Sequence, residues 1–482
     1  MSFIILPNQL YEIKILNKVF NEDISDKIDS IIIYEHPQYF KKYKFNKKKL
    51  LLHFSTMNYY NDLLKNNFRN LEIKYIKYDE KKELDNLIKN KDKKCYMFES
   101  SDKLKEFNKN NIILLDNPNF LLNNKLREEY SIKTSKTKNV VFNDFYMWSK
   151  KQLNIIPNIK SKDQENRKVF KSNKALPKLP KLSSTDIKYL NSNLIKLNNF
   201  KNNYGIIDNI DNYIYPITHK TAKIFLKDFI NKRFNNFGDY QDYIKKNEVF
   251  MFHSVLSSSL NIGLLNPSDV IEEVMKYKNN IPLNSFEGFI RQLFWREYQM
   301  YCYKYIDFDY YLKNYNKSSN HQSLFSYSNK LNKSWYNGTI KIDNIDMTII
   351  NDTIKKGFEN AYLHHIERLM VMGNFMNIYE LHPKEGFKWF MEFSIDSYEW
   401  VMYQNVYDMV FYITGLTMRK PYITTSNYIL SISDYNIKED KEWINKWDEM
   451  FYKFLKKYKI QIQKKHSYYF PSLKKINTKL NN

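Results

Sequence analysis

Along the first 120 residues, short apolar runs alternate with polar, helix-like stretches. Phe3–Leu6, Ile31–Tyr34, Leu50–Phe54, Glu72–Ile76, Cys95–Phe98 and Ile112–Leu115 read as strands. Met57–Asn66, Glu80–Lys89 and Asp102–Asn108 read as helices between them. Strand and helix in alternation predict a parallel, Rossmann-like α/β sheet with covering helices, whose ligands bind beyond the carboxyl ends of the strands. From about residue 200 the period changes. Ile354, Phe358, Ala361, His365 and Leu369 recur every three or four positions, as one face of a helix does. Thr221–Phe234, Pro267–Lys276, Ser285–Tyr305, Pro383–Trp400 and Lys441–Lys457 repeat that pattern. The expected organisation is an α/β domain over residues 1–130, a connector over 131–200 and a larger all-helical domain over 201–482. The connector is rich in Lys and Asn, is broken at Ala175-Leu-Pro-Lys-Leu-Pro180, holds some helix near Phe145–Leu153, and ends where Ser183-Ser-Thr-Asp186 signals a helix start.

Glycine usage narrows the first domain. The first glycine of the chain is Gly205, so neither a P-loop nor a glycine-rich dinucleotide fingerprint fits there. The two cysteines, Cys95 and Cys302, exclude a disulfide scaffold and any four-thiolate site. The N-terminus lacks a basic segment followed by a long apolar run, and no stretch approaches the roughly 20 apolar residues of a membrane span. The expected location is intracellular, without distinguishing cytoplasm, nucleus or virus particle. Lys and Arg outnumber Asp and Glu by 76 to 53, a formal charge of +23, which suits contact with nucleic-acid phosphates.

Four stretches carry candidate chemistry. Phe252-His-Ser-Val-Leu-Ser-Ser-Ser is a hydroxyl-rich turn running into a helix, with hydroxyls and backbone N–H groups for phosphate oxygens; an ordinary capped helix reads the same way. In Phe286–Tyr298, Gln292 and Arg296 share a helix face flanked by aromatics, which suits an aromatic ring with polar edges or a buried structural arginine. Leu363–Phe375 contains His364 and His365, about 100° apart on one helix. His365, on the apolar face, reads as a core residue or as a proton donor. Lys388–Asn405 reads as a core helix with buried tryptophans. No His, Cys or acid cluster has zinc-ligand spacing.

In this order the stretches resemble the photolyase/cryptochrome superfamily, most closely its prokaryotic (6-4) photolyase (iron–sulfur bacterial cryptochrome) branch. The carrying motifs are EGFIRQLFWREY (Glu287–Tyr298), HHIERLMVMGNF (His364–Phe375), KWFMEFSIDSYEWV (Lys388–Val401) and KPYITTSNYIL (Lys420–Leu430). FGDYQD (Phe237–Asp242), LNIGLLNP (Leu260–Pro267), ILPNQL (Ile5–Leu10), KLLLHFSTMNYY (Lys49–Tyr60) and DQENRK (Asp163–Lys168) add to them, so the resemblance spans residues 3–455. It implies an antenna domain followed by a helical domain holding FAD, and light-driven electron transfer from reduced FAD to UV-linked pyrimidines in DNA. The lesion would leave the duplex to be reached. The resemblance assigns Ser254, Leu256 and Ser257 to the FAD phosphates, and Gln292, Trp295 and Arg296 to the pocket helix. It sets the salt-bridged pair Arg368–Asp396 beside the isoalloxazine, and makes His365, with His364, the helper of (6-4) repair. Trp389, and less directly Trp400, would carry electrons, while Asn8 and Glu35 fall where relatives contact a ribityllumazine-like antenna.

The departures are as specific. Ile349 stands where the branch has its first iron–sulfur cysteine, and Asn-Ile-Lys-Glu-Asp follows Ser433-Asp-Tyr435 in place of the later cysteines. The expectation is therefore a chain without the cluster. Met402 replaces an acid facing the flavin's reactive nitrogen, and a thioether cannot exchange a proton there. Asp408–Thr417 replaces a glycine- and Asp-containing loop. The leading reading is a monomeric DNA photolyase, the (6-4) lesion preferred to the cyclobutane dimer because His364-His365 suits proton donation. The alternatives are a cryptochrome-like blue-light sensor and a flavin-free DNA-binding relic.

Overall fold

The computed structural model describes residues 1–22, 28–89, 94–135, 140–171, 175–207, 209–315, 324–465 and 469–480. It divides into two compact units, each assembled from separate stretches of chain. The first comprises Met1–Glu128, Leu176–Asn235 and Phe252–Pro282; the second Glu129–Ala175, Asn236–Met251 and Leu283–Asn482. Part of the region assigned to the helical domain from sequence thus packs in the same unit as the sheet.

The first unit is built on five parallel strands: β1 (Ser2–Ile5), β2 (Ser30–Tyr34), β3 (Glu72–Ile76), β4 (Cys95–Phe98) and β5 (Ile112–Leu115). Their order is β3-β2-β1-β4-β5, with Phe3 opposite Ile31 on one side and Tyr96 on the other. The order reverses between β1 and β4, the switch point at which such sheets form a crevice. β2, Ser-Ile-Ile-Ile-Tyr, is buried throughout, as a central strand covered on both faces must be. One expected strand is a helix. Leu50–Phe54 lies inside a helix spanning Lys47–Asn67, started by the Asn46 side chain accepting from Lys48 N at 2.9 Å. Residues 48–57 are all buried, so the run has no polar face to betray its period, and a short apolar run fits either element. Asp102–Asn108 forms only a short 3-10 turn at Lys105–Phe107. The helix start at Ser183 is as expected: Ser183 and Asp186 form a reciprocal capping box for Ser184–Asn193.

The second unit centres on the long helix Leu283–Tyr305, nearly all of whose residues are buried. It packs against Phe142–Gln152, Glu399–Met402 and the π-helical stretch Tyr403–Val410. A two-residue hairpin, Lys341–Ile342 with Ile345–Asp346, interrupts the helices. Asp343 and Asn344 turn it at φ of 49° and 67°, conformations that Asp and Asn tolerate best after glycine. The helix expected to run through Ile354, His365 and Leu369 is broken. Thr348–Asn360 stops at Ala361, which is left-handed at φ 53°, and a π-helical stretch begins at Glu367. The break resets the register: His364 is buried and His365 exposed, the reverse of a continuous helix. The Pro383 helix likewise ends at Phe393 instead of continuing to Trp400. Among the described residues no helix is long and apolar enough to cross a membrane.

Candidate functional site

In the first unit the polar groups gather where the strands end. Asn8, just past β1, donates from Nδ2 to Ser101 Oγ at 2.8 Å, just past β4. Its own Oδ1 is buried with no partner among the described residues. Glu35, just past β2, is buried; its carboxylate accepts from Tyr75 Oη at 2.6 Å and Tyr78 N at 3.3 Å, with Lys196 Nζ at 3.8 Å. Burial pushes the Glu35 carboxyl up and the Lys196 ammonium down, so both lean toward their neutral forms. Tyr39 donates to Asp102 at 2.9 Å, and His36 meets Glu106 at 2.7 Å. Tyr75, Tyr39 and Asp102 escaped the sequence reading, because each is ordinary in its own stretch and the fold alone brings them together.

The hydroxyl-rich turn belongs to this unit as well. Val255 is left-handed at φ 56°, Ser254 and Ser257 are half-buried, and Leu256 is buried. Arg233, fully buried, donates from Nε to His253 O at 3.1 Å and is held through Nη1 by Asp228 at 2.6 Å, which fixes the chain just before Ser254. The hydroxyls of Ser258 and Ser259 are buried with no partner among the described residues. Such orphaned donors are costly unless a ligand or water meets them.

In the second unit Arg368 grips Asp396 with two hydrogen bonds, Nη1 to Oδ1 at 2.9 Å and Nη2 to Oδ2 at 3.3 Å, while its Nε donates to Leu363 O at 2.7 Å. Ser394 Oγ adds a donor to Asp396 at 2.5 Å. Both residues are largely buried, and a planar guanidinium suits this two-point geometry. On the long helix, the Arg296 guanidinium lies 4.9 Å from the centre of the Trp400 ring, and Gln292 donates to Gln241 at 3.2 Å. Trp295, the residue before Arg296, turns away and stacks on Phe142 at 3.7 Å. Met402 is buried. Trp389 is fully buried, its indole donating to Trp335 O at 2.7 Å.

Two groups that the sequence did not flag organise the surroundings. Glu367, fully buried, accepts from Lys356 Nζ at 2.6 Å and from His364 N at 3.1 Å, and His364 Nε2 lies 3.5 Å away. Burial raises the Glu367 carboxyl despite the ammonium. Asp408, also fully buried, accepts from Thr414 N at 2.7 Å, Thr414 Oγ1 at 2.5 Å and Thr417 Oγ1 at 2.6 Å. The segment Asp408–Thr417 is thus a closed loop around its own carboxylate. It lies tight against its neighbours, since a Cβ on Gly386 would meet the Phe411 ring at 2.5 Å and one on Gly373 would meet Val410 at 2.9 Å. Asp followed by Thr at six and nine positions was the available signal. Ile349 is buried in apolar surroundings, and among the described residues no group of three or more His, Cys, Asp or Glu is placed to hold a metal.

A two-unit molecule, one unit a doubly wound parallel sheet and the other helical around a buried Arg–Asp clamp, has the α/β-plus-helical architecture that the resemblance implies. Residues 3–211 match the family model of deoxyribodipyrimidine photo-lyase-related proteins. The chain is 34% identical over 278 residues to a (6-4) photolyase of Agrobacterium fabrum, a match covering 57% of this chain and 51% of that protein; it thus spans about half the length of that curated relative. An uncharacterized protein of Acanthamoeba polyphaga mimivirus is 54% identical over 87 residues, 18% of this chain and 69% of its own length. Among solved structures, a Synechocystis cryptochrome shares the fold at a TM-score of 0.55 and 12% identity, over 94% of this chain and 88% of that one. The sheet-bearing part of the chain is thus similar to photolyase-related proteins, and its fold is similar to that of a cryptochrome.

Proposed function

We propose that this protein repairs UV-damaged DNA by electron transfer from reduced FAD under light, with the (6-4) photoproduct as preferred substrate. The observation that carries the proposal is the bidentate, buried Arg368–Asp396 pair, set within an ordered series of motifs and joined to 34% identity with a (6-4) photolyase. The residues fit the cofactor. Orphaned buried hydroxyls follow the turn at Ser254, Leu256 and Ser257, which would take the phosphates. Gln292, Arg296, Arg368, Asp396 and Met402 would surround the ring system, whereas Trp295 is engaged by Phe142 and would support the pocket helix from its other side. FAD would supply the light absorption and one-electron chemistry that no side chain provides.

His365, being exposed, is the histidine a docked strand can reach, and it would donate a proton to the lesion. His364, buried against Glu367, would position that turn. Trp389 and Trp400 would relay electrons, and the crevice at Asn8 and Glu35 would take a ribityllumazine-like antenna. A second reading, light sensing without repair, is favoured by one observation: buried Met402 offers no exchangeable proton.

The purified protein should carry bound flavin, visible as blue-light absorption. Reduced and illuminated with an oligonucleotide bearing one (6-4) lesion, it should restore two thymines; with a cyclobutane dimer it should do less. His365→Ala should abolish (6-4) repair and leave the flavin bound. A flavin-loaded protein that repairs neither lesion would sink the repair reading in favour of sensing.

A further inference from the structure

The chain continues past residue 455, where the superfamily motifs end, into a segment of unusual charge. Residues 451–482 contain nine lysines and neither Asp nor Glu. The described parts of this segment fold within the second unit. Helices Lys459–Lys465, Phe470–Lys474 and Ile476–Leu480 all pack against the preceding helix Ile437–Lys457. The apolar positions Phe454, Leu455, Tyr458, Ile462, Leu473 and Ile476 are buried. Tyr469, also buried, pins the segment by donating to Pro421 O at 2.6 Å and accepting from Ile423 N at 3.3 Å.

With these apolar positions facing inward, Lys453, Lys456, Lys457, Lys459, Lys474, Lys475 and Lys479 are exposed. Lys453 and Lys457 are engaged by Glu449 and Glu380. Lys456, Lys459, Lys474, Lys475 and Lys479 are exposed, and no acid lies within the segment to neutralise them. Five cations held on packed helices and the turn at Lys475 form a preorganised positive surface. Its natural complement is a regular array of negative charge, and the array that matches several fixed cations at once is a phosphate backbone.

We propose that Lys456, Lys459, Lys474, Lys475 and Lys479 form a nucleic-acid clamp that grips backbone phosphates without regard to sequence, damage or light. It needs neither flavin nor lesion, so it stands or falls apart from the repair reading. It would raise the time the protein spends on undamaged nucleic acid, from which a lesion is found by sliding.

Truncation would remove buried Ile462, Leu473 and Ile476 and uncover the helix Ile437–Lys457 on which their helices pack, so charge variants of the full chain are the better test. Lys456, Lys459, Lys474, Lys475 and Lys479 are changed together to Gln, and binding to undamaged duplex DNA is followed in the dark from low to moderate salt. Each lost phosphate contact lowers the slope of log affinity against log salt by about 0.9. The expected result is a slope smaller by about three to four and affinity at least tenfold weaker, with the thermal midpoint unchanged. A control changes Lys18, Lys65, Lys178, Lys201 and Lys227, all exposed on the first unit, and should move the slope by about one or less. Equal effects in the two variants would overturn the clamp, because binding would then follow total charge. An RNA duplex run beside the DNA identifies which backbone is preferred, either result supporting a phosphate clamp. Vesicles containing phosphatidylserine are the last arm: lysine-dependent binding to them, with none to nucleic acid, would overturn the proposal.

Discussion

The buried carboxylates at the strand ends of the sheet and those around the Arg–Asp clamp are held by different kinds of donor. At the strand ends of the sheet, Glu35 and Asp102 rest on the hydroxyls of Tyr75 and Tyr39, and burial drives the Glu35 carboxyl toward its neutral form. In the helical unit Asp396 is clamped by a guanidinium and Glu367 by an ammonium. Neutral donors satisfy a carboxyl without fixing its charge, whereas cationic donors hold a full ion pair in place. The first arrangement suits an uncharged ring with polar edges. The second suits chemistry in which charge appears and must be steadied. The lesson is that similar burial yields two different electrostatic environments, set by the partner.

The sharpest way to break this contrast is Arg368→Ala. Removing one partner of a buried ion pair leaves the other charge stranded, and such changes cost about 3–5 kcal/mol. Asp396 would lose both guanidinium hydrogen bonds and keep the Ser394 hydroxyl. Denaturant unfolding should report a loss in that range, and the variant should be purified with little flavin. Arg368→Lys should recover only part, since an ammonium cannot make the two-point contact. A loss below about 1 kcal/mol would mean that Asp396 is better solvated than its burial indicates, and the contrast would fail.

How much of this was legible in the sequence depends on how far apart the cooperating residues lie. All five strands of the sheet followed from short runs between polar stretches, because parallel strands carry their burial in composition. Leu50–Phe54 misled for the same reason: a helix buried on every side has no polar stripe to reveal its period. The Arg368–Asp396 pair came from motif resemblance, and its bidentate geometry needed the structure. The histidines show the limit most clearly. Their exposure turns on a single left-handed residue, Ala361, and alanine carries no local signal for that conformation. Glu367 was hidden because its partner Lys356 sits in a different helical stretch.

A middle-sized test asks whether burial can override a cationic partner within the helical unit itself. Asp242 has the Arg167 guanidinium 3.6 Å away, yet burial, helped by the charge of Asp163, raises its carboxyl to about 6 against the opposing pull of Arg167 and Arg291. Because this folded-state value lies above the unfolded one, the folded protein binds the proton more tightly. The stabilising contribution is complete below about pH 4 and is lost as pH rises through 6. Asp242→Asn cannot titrate. Between pH 4 and 7 the wild type should therefore lose about 2 kcal/mol more stability than the variant, read as a pH series of denaturant midpoints. Parallel profiles would show that Arg167 keeps Asp242 ionised after all, and the partner rule would hold without exception.

The smallest effect is expected at Glu35. If its carboxyl already leans toward the neutral form, Glu35→Gln changes little: the amide oxygen can still accept from Tyr75, and only the weaker contact to Tyr78 N, at 3.3 Å, is exchanged for an amide donor. A neutral hydrogen bond is worth about 1 kcal/mol net, so stability at pH 7 should stay within that of the wild type. Its pH dependence should also flatten. A raised folded-state carboxyl favours folding at low pH and stops doing so as pH rises past it, and the variant lacks that slope. Glu35→Lys would behave oppositely, placing a second ammonium beside Lys196 at a fully buried site, and should cost several kcal/mol. Were Glu35→Gln as damaging as Arg368→Ala, the sheet crevice would be holding a full negative charge. An uncharged ring would then be the wrong ligand to expect there, and a cationic one the right one.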